Sequence, residues 1–360
     1  IGTGALSVAM GSTPVAANVV KNSSDATVAT VLLTAGTAED IRITSLKIQE
    51  VNTAVIADTS NIKLFDGATQ LGSTAAVFDA DANGTVTFDL SGNPLVVAKG
   101  ATKSLDIKLS VNSGATATNI IEVTVMTTGI ANQLVSTGVT TGASITETGG
   151  SDTNVGSRQT IAASGTLAAK LDAGSTVASQ VVANTTGVEV AKFKFTASND
   201  ENIKISMLKF TRAGGADSDY SLVQIYDGAS QIAQNAYVIS GAVTFNFTPG
   251  SELIVSKNSS KVVTIKANIN AIGSGATSGD SPTFVIGTNT EADDDTFITA
   301  QGVSSGVVLN DAALMEVIAT PAAISEASNA MKLYKTKLTI NKNSASPSGT
   351  LIPGVTEVIR

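Results

Sequence analysis

The sequence predicts an all-β chain, built as two tandem β-sandwich domains followed by a strand segment of an incomplete third repeat. Three observations lead there. Apolar and polar residues alternate in segment after segment, as at Leu105, Ile107, Leu109 and Val111, which turns one face to a core and the other to water. The stretch Ile62-Lys63-Leu64-Phe65-Asp66-Gly67-Ala68-Thr69-Gln70-Leu71 returns as Val223-Gln224-Ile225-Tyr226-Asp227-Gly228-Ala229-Ser230-Gln231-Ile232, a period of ~160 residues that marks a duplication. The composition leans on Thr, Ser, Ala, Gly, Val and Asn, which suits half-buried strands joined by many small turns.

Each copy of that stretch reads as a strand, an Asp-Gly turn and a returning strand. The turn calls for Gly because a tight hairpin places a residue at φ > 0. Aligned outward, Ile41–Ile48 matches Ile203–Phe210, Val86–Phe88 matches Val243–Phe245, Leu95–Val97 matches Leu253–Val255, and Lys103–Lys108 matches Lys261–Lys266. Upstream, Gly11-Ser12-Thr13 pairs with Gly174-Ser175-Thr176. Val263, Ile265, Ala267 and Ile269 alternate, as do Val243, Phe245 and Phe247. Ile41 and Ile43 share a phase, whereas Leu46 and Ile48 take the opposite one, and Ile203, Ile205, Leu208 and Phe210 repeat the slip. An odd step inside a strand predicts a β-bulge or a strand that crosses between sheets.

The expected division is residues 1–163 for the first sandwich, 164–329 for the second, and 330–360 for a C-terminal strand segment. Each repeat exceeds the roughly 100 residues of a minimal sandwich of this kind. The first surplus, 129–164, is rich in Thr, Gly and Ser and reads either as linker or, through Ile130, Leu134, Val135, Val139 and Ile145, as extra strands. The second, 287–329, holds one helical candidate, Asp311–Val317, with Asp311 as its N-cap.

Composition removes whole chemistries. The chain has no His, Cys or Trp. Without His there is no Ser-His-Asp triad, and without His and Cys there are no ordinary zinc, haem or iron–sulfur sites. The formal net charge is −8 and no Lys/Arg cluster exists, where a nucleic-acid binder needs a basic face. No apolar run approaches the roughly 20 residues of a membrane helix. The first residue is Ile rather than Met, as in a processed or trimmed chain.

Phe65-Asp66-Gly67-Ala68-Thr69-Gln70-Leu71-Gly72, followed by Asp79-Ala80-Asp81-Ala82-Asn83-Gly84-Thr85-Val86-Thr87-Phe88, resembles the bacterial immunoglobulin-like (Big-type) tandem repeats of cell-surface, S-layer or filament proteins. The resemblance covers roughly residues 60–90 and, less closely, 222–247, where Ile239-Ser240-Gly241 replaces the acidic turn. It implies immunoglobulin-like sandwiches in a secreted protein, and it carries over no binding residue.

Candidate sites are few. Asp79, Asp81 and Asn83, with Gly84 at the bend, match the first half of a calcium loop, but its twelfth position is Leu90 instead of Glu. The competing reading is a hairpin turn rich in Asp, Asn and Gly, with no cofactor. Glu291–Asp295, Asp217 and Asp219 read as solvated loops. Asn-X-Ser/Thr triplets begin at Asn22, Asn83, Asn184, Asn246 and Asn258. Tyr220, Tyr226 and Tyr237 read as packing beside the second hairpin rather than as a sugar platform.

These features point to a non-enzymatic, extracellular or cell-surface structural protein whose partner is itself, as a homopolymer in a filament, tube or surface layer. The rivals are an adhesin or carbohydrate-binding stalk and a hydrolase with a carboxylate pair, a chemistry that needs no His. The C-terminal segment supplies the expected joint. Leu338, Ile340, Val355 and Val358 belong to strand-like sequence without the rest of a domain, and its backbone needs partners. A sheet edge on a neighbouring copy, at Ala5–Met10, would offer them. The other explanation of the segment is a third domain that continues past Arg360.

Overall fold

Two stretches of ten or eleven residues, Ile41–Glu50 and Ile203–Ala213, are the central strands of two β-sandwiches. The computed structural model describes residues 2–79, 84–127, 133–149, 155–233, 235–287, 291–316 and 324–336. Their apolar side chains form two hydrophobic cores, one drawn from Leu6 to Ile161 and the other from Leu167 to Leu333. Among the described residues no strand pairing crosses from one core to the other.

In the first core, six strands lie side by side in the order Thr148–Gly149, Leu6–Met10, Ala26–Ala35, Thr102–Val111, Thr59–Asp66 and Thr69–Ala75. The facing sheet is built on Ile41–Glu50, which pairs with Thr85–Asp89, Leu95–Val97, Val123–Val125 and Leu134–Gly138. The second core repeats this layer for layer. Its six-stranded sheet runs Leu314–Met315, Leu167–Leu171, Val188–Ala197, Ser260–Ile269, Tyr220–Asp227 and Ser230–Gln231. Opposite lies Ile203–Ala213, with Ala242–Asn246, Leu253–Val255, Thr283–Gly287 and Ile298–Gly302 as partners. Even the two-residue strands that run parallel to the first strand of each sheet correspond.

The odd step in the central strands is a β-bulge. Pairing with Leu134–Gly138 jumps from Ser45 to Ile43, leaving Thr44 out of register, and pairing with Ile298–Gly302 jumps from Met207 to Ile205, leaving out Ser206. The extra residue resets the alternation, so Ile41, Ile43, Leu46 and Ile48 all face the core, as do Ile203, Ile205, Leu208 and Phe210. The displaced carbonyls are still bonded: Leu90 N–H donates to Thr44 O at 2.8 Å and Phe247 N–H to Ser206 O at 2.9 Å.

The hairpins turn where expected, with one refinement. Asp66 pairs with Thr69 and Asp227 with Ser230, so the two loop residues are Gly67-Ala68 and Gly228-Ala229. Gly67 and Gly228 stand at φ 59° and 60° while the alanines do not share the positive φ. This is the glycine-first pattern that matches the twist of a hairpin.

The chain's end departs from expectation. Met331–Tyr334 is a strand that runs parallel to Ser179–Val182, as Gln159–Ala162 runs parallel to Ala17–Val20 in the first copy. Ile324, Met331 and Leu333 are part of the second core. The expected break at 329/330 therefore falls inside that core: without Met331 and Leu333 its last side would lie open to water. The described part of the helical candidate, residues 311–316, is also not an α-helix. Asp311–Ala313 is a single 3-10 turn entered from Asn310, and Leu314–Met315 then joins the sheet, because pairing with Leu167–Ala168 satisfies more backbone than one exposed turn would. Leu134–Gly138 supplies one of the extra strands expected in the first surplus and Ile145 is buried, whereas Ile130 lies outside the described residues.

Phe88 pairs with Leu46 and Phe245 with Leu208, and both rings are buried. In the second core the Phe210 ring meets Phe193 in a tilted contact, with centroids 5.1 Å apart, and Phe245 edge to face at 6.3 Å. Thr244, one residue from Phe245, is exposed. Phe245→Ala is expected to cost about 3–5 kcal/mol and Thr244→Ala under about 0.5 kcal/mol, both read by urea titration. Equal losses would contradict this assignment of faces.

Candidate functional site

The polar groups that do the most in this chain are buried carboxylates, and they come in matched pairs. Glu39 precedes the first central strand and Glu201 the second. Glu39 Oε2 accepts from the backbone N–H of Thr140 at 2.9 Å and of Thr141 at 3.0 Å, and its Oε1 from Gly4 N–H at 3.1 Å and Thr141 Oγ1 at 2.8 Å. Glu201 Oε2 accepts from Ser304 and Ser305 N–H, each at 2.9 Å, and its Oε1 from Gly165 N–H at 2.8 Å and Ser305 Oγ at 2.7 Å. Each carboxylate thus ties the chain's entry into a sandwich to a late loop of the same sandwich. The hydrogen bonds from Thr141 hold the Glu39 carboxyl below the ordinary carboxylate range. Gly138 and Gly302 are required beside these acids, since a Cβ at either would overlap the carboxylate.

A second pair fixes the start of each hairpin. Asp58 Oδ1 accepts from Thr116 N–H at 3.0 Å and its Oδ2 from Asn119 Nδ2 at 2.7 Å. Asp219 accepts from Thr277 N–H at 3.2 Å and Ala216 N–H at 2.8 Å. Asp219 is fully buried, which pushes its carboxyl up. On the hairpins themselves Asp66 pairs with Lys103 and Asp227 with Lys261, while Lys108 lies 4.4 Å from the Phe65 ring and Lys266 4.5 Å from the Tyr226 ring.

Sequence motifs carry these latches, and pattern reasoning passed over them. Gly138-Val139-Thr140-Thr141-Gly142 returns as Gly302-Val303-Ser304-Ser305-Gly306, and Ser113-Gly114-Ala115-Thr116 as Ser274-Gly275-Ala276-Thr277. Both sit in stretches that read as small-residue loops.

Of three acidic positions expected in solvated loops, Asp219 and Asp294 are buried, and Asp217 stays partly exposed but is bonded. Asp219 is a latch residue. Asp217 accepts from Gly241 N–H at 3.0 Å, which lowers its pKa, and pairs with Arg212 at 2.9 Å. Asp294 is buried, and its Oδ2 accepts from Ile324 N–H at 3.0 Å. The backbone donors of these loops have no strand partners, and a carboxylate meets several of them at once.

At the proposed calcium loop, Asp79 N–H donates to Thr85 O at 3.0 Å and Gly84 N–H to Asp79 O at 2.7 Å, with Gly84 at φ 71°. Asp79 is therefore held against Gly84 and Thr85 across the loop. Asp81 and Asn83 lie outside the described residues, as do Leu338, Ile340, Val355 and Val358. No cluster of three or more acidic metal ligands exists among the described residues. The acceptor edge expected at Ala5–Met10 is already in use: Leu6–Met10 pairs with Ala26–Ala35 on one side, and Ser7 and Val8 with Thr148 and Gly149 on the other. Thr69–Ala75 lies at the other edge of that sheet and, among the described residues, pairs on one side, with Thr59–Asp66. Tyr220 is buried against Phe284 at 5.3 Å and Tyr237 is 61% exposed, so the tyrosines form no shared platform. Asn22, Asn184, Asn246 and Asn258 are exposed. No helix among the described residues is long and apolar enough to cross a membrane.

No protein-family model and no curated protein sequence matches the chain. Solved structures similar to it include BcpA, the major pilin subunit of Bacillus cereus, at 7% identity and a TM-score of 0.25 over 92% of this chain and 69% of that one. Also similar are the C-terminal domain of the Streptococcus pyogenes antigen I/II-family protein AspA, at 7% and 0.20 over 92% and 100%, and the calcium-binding domain CBD12 of CALX1.1, at 8% and 0.24 over 78% and 79%. Likeness at this level says nothing of what the chain binds or joins.

One buried acid has no counterpart. Glu50 is fully buried; its Oε1 accepts from Asn52 and Glu122 N–H, each at 3.0 Å, and its Oε2 has no hydrogen-bond partner among the described residues. Burial pushes its pKa up to about 8 from the ordinary 4.5. Below the lower value the group is protonated in folded and unfolded chains alike. Between the two values only the folded chain keeps the proton, so stability falls as pH rises through that window. Urea titrations at pH 5 and pH 8 should show this fall, and Glu50→Gln should flatten it while keeping both accepted hydrogen bonds. An unchanged slope in the variant would show that Glu50 is not its source.

Proposed function

We propose that this chain is a non-enzymatic structural protein of the cell surface or extracellular space that assembles with copies of itself through tandem sandwiches. The observation that carries the reading is the duplication itself. Strand order, bulge, hairpin and both carboxylate latches recur in the second core. An enzyme needs one set of groups placed once, whereas a load-bearing or space-filling module gains from repetition. The absence of His and Cys from the sequence agrees with this. Each core is a separate folding unit, the first over residues 1–163 and the second from 164 to about Tyr334, the last residue paired in it. The immunoglobulin-like assignment and the calcium role of Asp79, Asp81 and Asn83 belong to the same reading. The residues after Thr336, with Leu338, Ile340, Val355 and Val358, serve as the joining strand, and Thr69–Ala75 is the edge that would receive it.

Negative-stain microscopy of the full chain, with and without a chelator, and of a chain ending at Thr336 tests this. Ordered polymers from the full chain support assembly, and their loss on chelation would assign calcium to it. Dispersed rods at all concentrations would favour an adhesin stalk instead. The shortened chain is expected to stay folded and to lose its polymers, since it keeps Met331 and Leu333. Unchanged polymers would remove the joining role from the tail.

A further inference from the structure

The two cores touch through a small polar joint. Asn18 Nδ2, on Ala17–Val20 of the first core, donates to Asp200 Oδ1 of the second at 2.7 Å, and Asn22 Nδ2 reaches Ser305 O at 3.5 Å. The receiving groups are held in place. Asp200 Oδ2 accepts from Ser198 Oγ at 2.8 Å, and that hydroxyl oxygen accepts from Thr166 N–H at 3.1 Å. Ser305 gives both its N–H and its hydroxyl to Glu201, which also holds Gly165. Thus Gly165 and Thr166, where the chain passes from one core to the next, are tied to the residues that meet the first core.

Each core also carries its own copy of the half of this joint that the other core supplies. On the first core Glu39 holds Gly4, Thr140 and Thr141 as Glu201 holds Gly165, Ser304 and Ser305. There Ala38 stands at the position of Asp200 and Thr141 at that of Ser305, both exposed. On the second core Ser179–Val182 takes the place of Ala17–Val20, each lying parallel to the last strand of its own core. Gln180 stands at the position of Asn18, and Asn184 at that of Asn22. Both are exposed, and Asn22 and Asn184 share the left-handed conformation, at φ 59° and 63°. The outer ends differ from the inner joint at one point. Ala38 has no side-chain oxygen where the Asp200 carboxylate accepts, so of the two acceptors of the inner joint only the backbone carbonyl of Thr141 is kept for an amide side chain.

We propose that a second copy of this chain completes these ends: the Gln180–Asn184 end of one molecule seats on the Ala38–Thr141 end of the next and repeats between molecules the placement that joins the cores within one. This rests on the self-assembly reading and adds to the tail strand a second contact between the same two molecules. One operation relates core to core along the chain and from chain to chain, and a head-to-tail contact of that kind extends into an open polymer unless the rotation closes a ring. The joint between chains lacks the charge-assisted hydrogen bond that Asp200 supplies within one, and neutral polar contacts are individually weak. Polymer length therefore rises with protein concentration, and the covalent link makes the joint far firmer within a chain than between chains.

The test compares two full-length variants with the unaltered chain by sedimentation velocity over a concentration series. Ala38→Asp supplies the missing acceptor opposite Gln180. Ala38→Arg with Gln180→Arg places like charges across the proposed contact. Both positions are exposed, and circular dichroism melts confirm equal folding. The Ala38→Asp variant is expected to assemble at several-fold lower concentration than the unaltered chain, and the like-charged one to need at least tenfold more protein. Assembly of all three at the same concentration would overturn this contact and leave self-assembly standing. Chains that stay monomeric throughout, with and without Ala38→Asp, would overturn both.

Discussion

The described structure depends on carboxylates that gather the backbone donors of loops. Glu39 and Glu201 each accept four hydrogen bonds from groups far apart in sequence, at the place where the chain enters a sandwich. Entry segment and late loop would otherwise present bare N–H groups at a crowded end of the sandwich, and an unsatisfied buried donor costs about 1–3 kcal/mol. A single acid answers several such groups. It also does so without the positive partner that a buried ion pair would require.

This constraint suits a chain with no disulfides and few rings. The cores are made largely of aliphatic side chains from two sheets, with a cluster of rings in the second, and are closed by alternation and by one bulge in each central strand. Strands hold the sandwich together in the middle, where side chains interdigitate. At the ends there is little apolar surface to bury, and the loops are Thr-, Ser- and Gly-rich. Glu39, Asp58, Glu201 and Asp219 act at those ends. Half-buried surface pairs, Lys103–Asp66 and Lys261–Asp227, recur too, but ion pairs still in reach of water contribute about 0–1 kcal/mol, so their recurrence speaks for common origin more than for stability.

Much of the architecture was legible because it follows from periodicity. Alternation located the strands that carry Leu105, Ile107, Val243 and Phe245, and the odd step from Ile43 to Leu46 gave away the bulge, since side-chain phase is a local property of the chain. Asp-Gly marked the hairpins through backbone sterics alone. The latches were not legible in the same way. An acid beside Ser, Thr and Gly reads as solvated unless its distant partners are known, and Glu201 meets Ser304 and Ser305 only after the sheet has formed. Asp219 and Asp294 read as loop acids for the same reason. Met331–Tyr334 reads as the start of something further because a short strand carries no sign of which core it completes; parallel pairing with Ser179–Val182 is a long-range fact.

The most direct test of the latch is amide hydrogen exchange in the Glu201→Ala variant. The account predicts that the amides of Gly165, Ser304 and Ser305 are protected in the unaltered protein and exchange rapidly in the variant, while those of Val263 and Ile265 in the sheet stay protected. Unchanged exchange at the three amides would contradict the claim that a buried carboxylate holds the entry of the sandwich to its late loop.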